Sequence, residues 1–145
     1  MSLIKIDKKI KKFNKSLITS GDKSLSIRWA LLASQSPYKS KSYNLLDSED
    51  VLNTLRCLRK LGVKIKLTKK FCEIFGVGLN GFKYKKSLSL NAGNSGTLGR
   101  LIMGLLVHSR SNIKLRGDKS LSRRDFSRVS KPLERFGAKF KTNSG

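Results

Sequence analysis

Apolar residues between positions 51 and 61 recur at the period of one face of an α-helix. Val51, Leu55, Leu58 and Leu61 form this stripe. The preceding residues 47–50, Asp-Ser-Glu-Asp, offer a serine cap and an acidic first turn, and the glycine at position 62 suits the end of a helix. The pattern predicts a helix whose apolar face belongs mostly to the core.

Other segments predict strands separated by turns and further helices. Strands are predicted over residues 16–20, 39–46, 63–68, 71–75, 87–90, 112–116 and 138–141, with the third and fourth forming a hairpin. Further helices are predicted after the glycines at 21, 96 and 117, the first closing before Pro37. Pro132 is expected to kink or restart the last helix, which presents Phe126, Val129, Leu133 and Phe136 on one side. The order β-α-β-α-β-β, then β-α-β-α-β, predicts an α/β fold.

Residues 91–100, Asn-Ala-Gly-Asn-Ser-Gly-Thr-Leu-Gly-Arg, form a loop of small residues that leads into an apolar helix. Its first two glycines, at 93 and 96, allow a tight turn that leaves backbone N–H groups uncovered. Those groups and the positive end of the helix dipole favour a phosphate or a carboxylate, and Arg100 adds a charge one turn later. The loop alone is ambiguous, because many glycine turns cap helices without binding a ligand.

Two pairs of segments resemble each other within the chain. Residues 21–28, Gly-Asp-Lys-Ser-Leu-Ser-Ile-Arg, and residues 117–124, Gly-Asp-Lys-Ser-Leu-Ser-Arg-Arg, are nearly identical, and residues 58–65 resemble residues 133–140. The offsets of the two pairs differ, so the chain is not a strict tandem array. We interpret the pairs as one supersecondary unit used more than once.

The charge of the chain is extreme for its length. The 145 residues carry a formal net charge of +23 and suit one domain of ordinary size. A solvated lysine-rich surface, a nucleic-acid binder and an enzyme with anionic substrates all fit this charge. The aromatic residues show no basic and aromatic stripe on which single-stranded bases would stack. We therefore expect only non-specific binding of nucleic acid through net charge.

The cysteines and the single histidine exclude some classes of site. Cys57 and Cys72 form no close pair, and His108 offers no second nitrogen ligand, so neither a zinc site nor a disulfide is expected. Buried thiols fit a reducing cytoplasm. The lysine-rich start lacks an uninterrupted apolar segment, so no signal peptide is expected, and the longest apolar run, residues 101–107, is too short to cross a membrane.

Five separated motifs resemble those of the 5-enolpyruvylshikimate-3-phosphate synthases, or 3-phosphoshikimate 1-carboxyvinyltransferases, in the same order. They are Gly21-Asp22-Lys23-Ser24 with Arg28, the segments 44–50 and 61–63, Gly93-Asn94-Ser95-Gly96-Thr97 with Arg100, and Gly117-Asp118 with Arg124. The resemblance runs from about residue 15 to the end. It implies the enolpyruvyl transferase fold of βαβαββ units, one complete and a second truncated. Residues 1–20 would then hold a strand that joins the other domain, and residues 21–145 part of the N-terminal substrate-binding domain.

The resemblance also implies a reaction and a set of residues. The enolpyruvyl group of phosphoenolpyruvate is transferred to the 5-hydroxyl of shikimate 3-phosphate, and phosphate is released, in the shikimate pathway to chorismate and the aromatic amino acids, without a cofactor. Lys23 would be catalytic and lie between both substrates, and Ser24 and Arg28 would hold the shikimate carboxylate. Phosphoenolpyruvate would be held by the N–H of Gly96 and by Arg124, with Asn94, Thr97 and Arg100 as supporting residues.

Some neighbouring residues are given structural roles. Lys119 and Ser120 repeat Lys23 and Ser24 without a counterpart role in the family, so the second octapeptide is expected to position Arg124. Asp47 and Asp50 are interpreted as caps rather than bases. Solvated surface charges are expected at Arg110, Arg123 and Arg128.

The chain also departs from the family pattern. Many members have Ala in place of Ser95 and Met-Arg-Pro in place of residues 99–101, so inhibitor sensitivity is not carried over. The family's acidic groups for the 5-hydroxyl proton belong to later sequence. The chain alone is therefore expected to be inactive and to need the C-terminal part of the same enzyme as its partner.

Three alternatives remain open at this point. A related enolpyruvyl transferase acts on UDP-N-acetylglucosamine, but its family typically shows Lys-Asn where Lys23-Ser24 stands and uses a loop cysteine. A basic nucleic-acid-binding module predicts binding to any polyanion with steep salt dependence. A non-catalytic fragment, folded only with a partner segment, predicts an exposed sheet edge.

Overall fold

The computed structural model describes residues 3–5, 7–9, 11–109 and 111–142. Its helices are α1 (Lys23–Gln35), α2 (Glu49–Lys60), α3 (Gly96–Leu105), α4 (Lys119–Ser122) and α5 (Ser127–Arg135). Its strands are β1 (Lys39–Tyr43), β2 (Lys64–Leu67), β3 (Phe71–Phe75), β4 (Leu88–Asn91) and β5 (Ile113–Arg116). Helices alternate with strands, which confirms the α/β prediction. Arg110 and positions 1, 2, 6 and 10 of the predicted N-terminal segment lie outside the described residues.

The described strands form two sheets. In the first, β3 lies between β1 and β2 and pairs antiparallel with both, so that Phe75 is opposite Lys39 on one side and Lys64 on the other. In the second, β4 and β5 are parallel, with Leu88 opposite Ile113. A parallel pair needs a crossover connection, and α3 supplies it. The β4–α3 junction therefore lies at the carboxyl end of β4.

The core lies where α1 and α2 pack on each other and on the sheets. Ile27 and Ala30 of α1, Leu55 and Leu58 of α2, and Ile74 of β3 are completely buried. Burial of each large aliphatic side chain contributes roughly 1.5–3 kcal/mol. These contacts fix the relative positions of the helix N-termini that carry the candidate site residues.

Four helices begin with the same kind of cap. The side chains of Asp22, Ser48, Ser95 and Asp118 each accept a hydrogen bond from the backbone N–H three residues later. The predicted cap at Ser48 is confirmed, and α2 ends before Gly62, whose φ of +90° is the left-handed conformation expected after a helix. The four caps satisfy N–H groups that a helix start would otherwise leave without a partner.

Two predicted strands are wrong within the described residues. Residues 16–20 are exposed and irregular, with Ile18 fully in solvent, and their contact with the fold includes one hydrogen bond, from Asn44 Nδ2 to the carbonyl of Thr19. Residues 138–141 also form no strand. Both segments have strand-like composition, but a strand requires a partner strand, and no described strand pairs with either segment.

The last predicted helix is interrupted, but not at the predicted residue. Pro132 lies inside α5, whereas the break falls between α4 and α5. Asp125 causes this break because its carboxylate accepts hydrogen bonds of 2.7 Å from both the backbone N–H and the hydroxyl of Ser127. The predicted apolar side of this helix is only partly buried, and Phe136 is 89% exposed.

Both cysteines are free and buried in the core. Burial raises the pKa of Cys57, and burial also raises the pKa of Cys72 to about 11. The prediction of buried thiols is therefore confirmed. Among the described helices, none has the length and apolarity required to cross a bilayer.

Candidate substrate-binding site

The glycine loop leads directly into the N-terminus of α3. Gly93 has a φ of +57°, and the N–H of Ser95 donates to the carbonyl of Ala92 to close the turn. Ser95 is the N-cap, with its hydroxyl 3.2 Å from the N–H of Leu98. Its main-chain oxygen accepts from Gly99. Among the described residues, no acceptor pairs with the N–H groups of Gly96 and Thr97, which lie at the positive end of the helix.

Two guanidinium groups lie against Gly96. A Cβ atom at this position would be 2.8 Å from Nη1 of Arg100 and 2.9 Å from Nη1 of Arg124. These distances are shorter than van der Waals contact, so a side chain at position 96 would displace the flexible ends of the two arginines. Gly96 is buried beneath the two groups. The predicted residues Gly96, Arg100 and Arg124 are thus brought together.

Neutral oxygen atoms hold the two guanidiniums. Arg124 Nη2 donates to Oδ1 of Asn94 at 2.8 Å, and Arg100 Nη2 donates to the main-chain oxygen of Asp125 at 3.2 Å. The guanidinium of Arg100 also lies 5.1 Å from the ring centroid of Phe126. Among the described ion pairs, none involves Arg100 or Arg124. Their charges are therefore available to a phosphate or carboxylate, with which guanidinium forms bidentate hydrogen bonds.

The loop after β5 completes this side of the site. The N–H of Asp118 donates to the carbonyl of Gly93 at 2.8 Å, and Oδ2 of Asp118 accepts from Nδ2 of Asn94 at 2.7 Å. The hydrogen bond from the N–H of Leu121 is the main reason why the pKa of Asp118 lies below its usual value, and the bond from Asn94 adds to the effect. The second octapeptide is thus connected within itself, from Asp118 through Asn94 to Arg124. Lys119 and Ser120, which repeat Lys23 and Ser24, are exposed.

A second cationic group lies at the start of α1. Asp22 caps the helix through the N–H of Leu25, Lys23 and Ser24 follow in the first turn, and Arg28 lies about one turn further on. Lys23 and Arg28 are exposed, and Ser24 is partly buried. The Lys23 ammonium lies 3.1 Å from the carboxylate of Asp50. This interaction corrects the interpretation of Asp50 as a cap, because Ser48 caps α2 and Asp50 pairs with Lys23.

One turn of α2 connects the two cationic groups. Asp50 contacts Lys23, and Asn53, three residues later on the same face, lies beside Gly93. A Cβ atom on Gly93 would be 2.5 Å from Nδ2 of Asn53. The start of α1 and the glycine loop therefore flank the same helical turn.

Sequence reasoning missed the contacts that three residues make at this site. Asn53 was given no role at the site, Asp50 was given only a capping role, and Asp118 was named only as part of the octapeptide expected to position Arg124. A signal for Asp118 was present, since it precedes Arg124 in a repeated octapeptide, but its bond to Asn94 joins residues far apart in the chain. Thr97, predicted as a supporting residue, is partly exposed in the first turn of α3.

Comparison with known proteins agrees with this architecture. The family model for EPSP synthase (3-phosphoshikimate 1-carboxyvinyltransferase) matches residues 7–145. The 3-phosphoshikimate 1-carboxyvinyltransferase of Ruthia magnifica subsp. Calyptogena magnifica is 43% identical over 125 residues, which are 86% of this chain and 28% of that protein. The protein of the same name from Oenococcus oeni is 42% identical over 133 residues, covering 92% of this chain and 30% of its own length.

Solved structures show the same likeness. The EPSP synthase from Acinetobacter baumannii superimposes with a TM-score of 0.79 at 37% identity, covering 85% of this chain and 28% of that one. A second structure of the enzyme from the same organism gives a TM-score of 0.82 at 36% identity, covering 88% and 29%. The chain thus spans about 28% of the length of the first curated relatives that it matches. With its fold, its motifs and the family model in agreement, the chain belongs to the EPSP synthase family.

Proposed function

We propose that this chain supplies part of the substrate site for transfer of the enolpyruvyl group from phosphoenolpyruvate to the 5-hydroxyl of shikimate 3-phosphate. The observation that supports it most is the placement of the Arg100 and Arg124 guanidiniums over Gly96 at the start of α3. Both proposed substrates carry phosphate and carboxylate groups. A helix N-terminus with two guanidiniums that form no ion pair within the described part of the chain suits such ligands better than an apolar pocket would.

The two cationic groups receive different ligands in this proposal. The N–H of Gly96 and the guanidinium of Arg124 bind phosphoenolpyruvate, with Asn94, Thr97 and Arg100 in support. Ser24 and Arg28 bind the carboxylate of shikimate 3-phosphate. Lys23 is the proposed catalytic residue between the two substrates, and its exposed ammonium and attachment to Asp50 support that position.

The proposed catalysis needs more than this chain provides at the site. The reaction must move the proton of the 5-hydroxyl, but two carboxylates that contact candidate residues are already engaged. Asp50 pairs with Lys23, and Asp118 accepts hydrogen bonds from Asn94 and Leu121. We expect the chain alone to bind without turnover and to require the C-terminal part of the enzyme. In this view residues 21–145 belong to a substrate-binding domain, and residues 1–20 join the other domain.

Titration calorimetry with shikimate 3-phosphate tests the proposal. We expect saturable binding that Arg28→Ala weakens by about tenfold, because a charge-assisted hydrogen bond contributes roughly 1.5–3 kcal/mol. Arg135→Ala is the matched control, since it removes the same charge from the far end of α5. Equal affinity in both variants would show that net charge, rather than the predicted site, attracts the ligand.

The nucleic-acid alternative rests on charge. A groove beside the end of α2 is lined by Arg59, Lys60, Lys83 and Lys85, among others, with Tyr84 between them. The Tyr84 hydroxyl forms a short hydrogen bond with Ser109. Any nucleic-acid binding at this surface is expected to be non-specific and to fall steeply with salt.

The reducing cytoplasm remains the proposed compartment, in keeping with two buried free thiols.

A further inference from the structure

The carboxylate of Asp118 is shared between two segments of the chain. Oδ1 accepts a hydrogen bond of 2.7 Å from the N–H of Leu121 and caps α4. Oδ2 accepts a hydrogen bond of 2.7 Å from Nδ2 of Asn94 in the glycine loop. The other end of the Asn94 amide, Oδ1, accepts from Nη2 of Arg124 at 2.8 Å. A continuous chain of hydrogen bonds thus runs from Leu121 through Asp118 and Asn94 to Arg124.

This chain of hydrogen bonds has only one possible direction. An ionised carboxylate accepts hydrogen bonds and cannot donate them, whereas a guanidinium only donates. An asparagine amide between them satisfies both when its NH₂ faces Asp118 and its oxygen faces Arg124. If the amide were turned over, two acceptors would meet at Asp118 and two donors at Arg124. Asp118 and Arg124 together therefore determine the orientation of the Asn94 amide.

The first octapeptide provides an internal comparison. Asp22 occupies the position of Asp118 and accepts a 2.7 Å hydrogen bond from the N–H of Leu25 in the same capping geometry. No side chain of the glycine loop reaches Asp22 within the described residues. Asparagine caps helices about as well as aspartate does. Capping alone therefore does not require a carboxylate at position 118. A carboxylate is required because one oxygen caps the helix while the other accepts from Asn94.

We propose that Asp118 is a positioning residue that acts through Asn94 to hold the Arg124 guanidinium over the N-terminus of α3. This inference rests on the proposed binding of an anion by Gly96 and Arg124, but the order of the Arg124 side chain is a separate observable. Asp118 itself need not touch the ligand. In the second octapeptide, Asp118 thus both caps a helix and supports the proposed anion site.

Asp118→Asn is the decisive variant. The introduced amide retains an oxygen for the N–H of Leu121, but its NH₂ group then faces the NH₂ group of Asn94. A turn of the Asn94 amide relieves this donor contact but removes the acceptor from Arg124, whereas a turn of the introduced amide relieves it at the cost of the cap on Leu121. At pH 6 we expect the heteronuclear NOE of the Arg124 Nε–Hε signal to fall. We also expect the dissociation constant for inorganic phosphate, followed at the Gly96 amide, to rise about tenfold.

Asp22→Asn is the matched control, because it makes the same change at a cap that has no partner in the glycine loop. It should alter neither the Arg124 signal nor the affinity for phosphate. Asn94→Ala should reproduce the loss of Arg124 order, and the double variant Asp118→Asn, Asn94→Ala should be no worse than Asn94→Ala, since both changes break one pathway. If Asp118→Asn fails to fold, Asp118→Ser, which retains a capping oxygen on a shorter side chain, replaces it.

The outcomes separate the two proposals. Unchanged Arg124 order in Asp118→Asn or Asp118→Ser would overturn the role of Asp118. An equal loss of Arg124 order and phosphate affinity in Asp22→Asn would overturn it as well. A fall in Arg124 order confined to the variants at 118 and 94 would support it. If phosphate does not shift the Gly96 amide of the unaltered chain, the proposed anion site fails, and the Arg124 signal still decides whether Asp118 positions that side chain.

Discussion

The Lys23 ammonium lies 3.1 Å from the Asp50 carboxylate and connects the start of α1 to the first turn of α2. The Asp50 side chain is 19% exposed, whereas that of Lys23 is 52% exposed. An ammonium has three N–H donors, so one bond to Asp50 leaves others for a ligand. The ion pair therefore fixes the position of the Lys23 ammonium and leaves some of its N–H donors unused.

Asp50→Asn should weaken binding of shikimate 3-phosphate more than it weakens the fold. An exposed ion pair contributes at most about 1 kcal/mol to the free energy of unfolding, but loss of the fixed ammonium position should lower affinity roughly fivefold. Urea unfolding and calorimetric titration measure the two effects. Glu49→Gln breaks the exposed pair with Arg56 on the same helix and should leave affinity unchanged. Equal loss of affinity in both variants would argue against a role for Asp50.

Gly96→Ala should abolish binding of phosphate while the chain remains folded. The added methyl group would lie within 3 Å of Arg100 and Arg124, and their flexible ends would move away from the anion site. Gly104→Ala is the control in the same helix, where a Cβ atom has nothing within 4 Å. It should raise the free energy of unfolding by about 0.5–1 kcal/mol and leave the affinity intact. Retention of affinity in Gly96→Ala would contradict the proposed site.

Ser95→Ala should lower the free energy of unfolding by about 1 kcal/mol, because it removes the cap from the buried start of α3. Many family members have alanine at this position, so the variant also tests what this departure from the family pattern contributes. Chemical denaturation measures the change. Ser122→Ala, at an exposed position in α4, should change it by less than about 0.5 kcal/mol. Equal changes in the two variants would mean that the cap contributes nothing.

The buried thiols should make stability depend on alkaline pH. The pKa of Cys72 is raised by burial to about 11 from an ordinary value of 9.0, so the folded chain retains a proton that the unfolded chain releases. The contribution of Cys72 to stability is complete below pH 9 and is lost as the pH rises towards 11. Urea unfolding across this range should show the decline, and Cys72→Ala should reduce its slope. If the slope of the free energy of unfolding against pH is the same in Cys72→Ala, other titrating side chains cause the decline.

The elements that sequence predicted correctly depend on local signals. The helix after Ser48 combines a cap, an apolar stripe and a terminal glycine, and the hairpin of β2 and β3 has apolar strands on both sides of a short turn. The loop before α3 was predicted from its glycines and the apolar residues that follow. In each case the residues that determine the structure are neighbours in the sequence.

Most of the features that sequence missed depend on residues far apart in the chain, and one depends on a local side-chain contact. Residues 16–20 and 138–141 have strand composition, but composition does not supply a neighbouring strand. The break before α5 arises from a side-chain contact between Asp125 and Ser127 that competes with the helix, which a search for proline does not reveal. The bonds of Asp118 to Asn94 and of Asp50 to Lys23 join segments that only the folded core brings together.

The N-terminus of α3, with Arg100 and Arg124, is proposed to bind the anionic groups of a substrate. The most direct test is titration with phosphoenolpyruvate, followed at the Gly96 amide by NMR, in Arg124→Ala and Arg123→Ala. These adjacent positions carry the same charge, but only Arg124 lies over Gly96. We predict a saturable shift that persists in Arg123→Ala and disappears in Arg124→Ala. Equal shifts in both variants, or shifts spread over the lysine-rich surface without preference for Gly96, would contradict the claim.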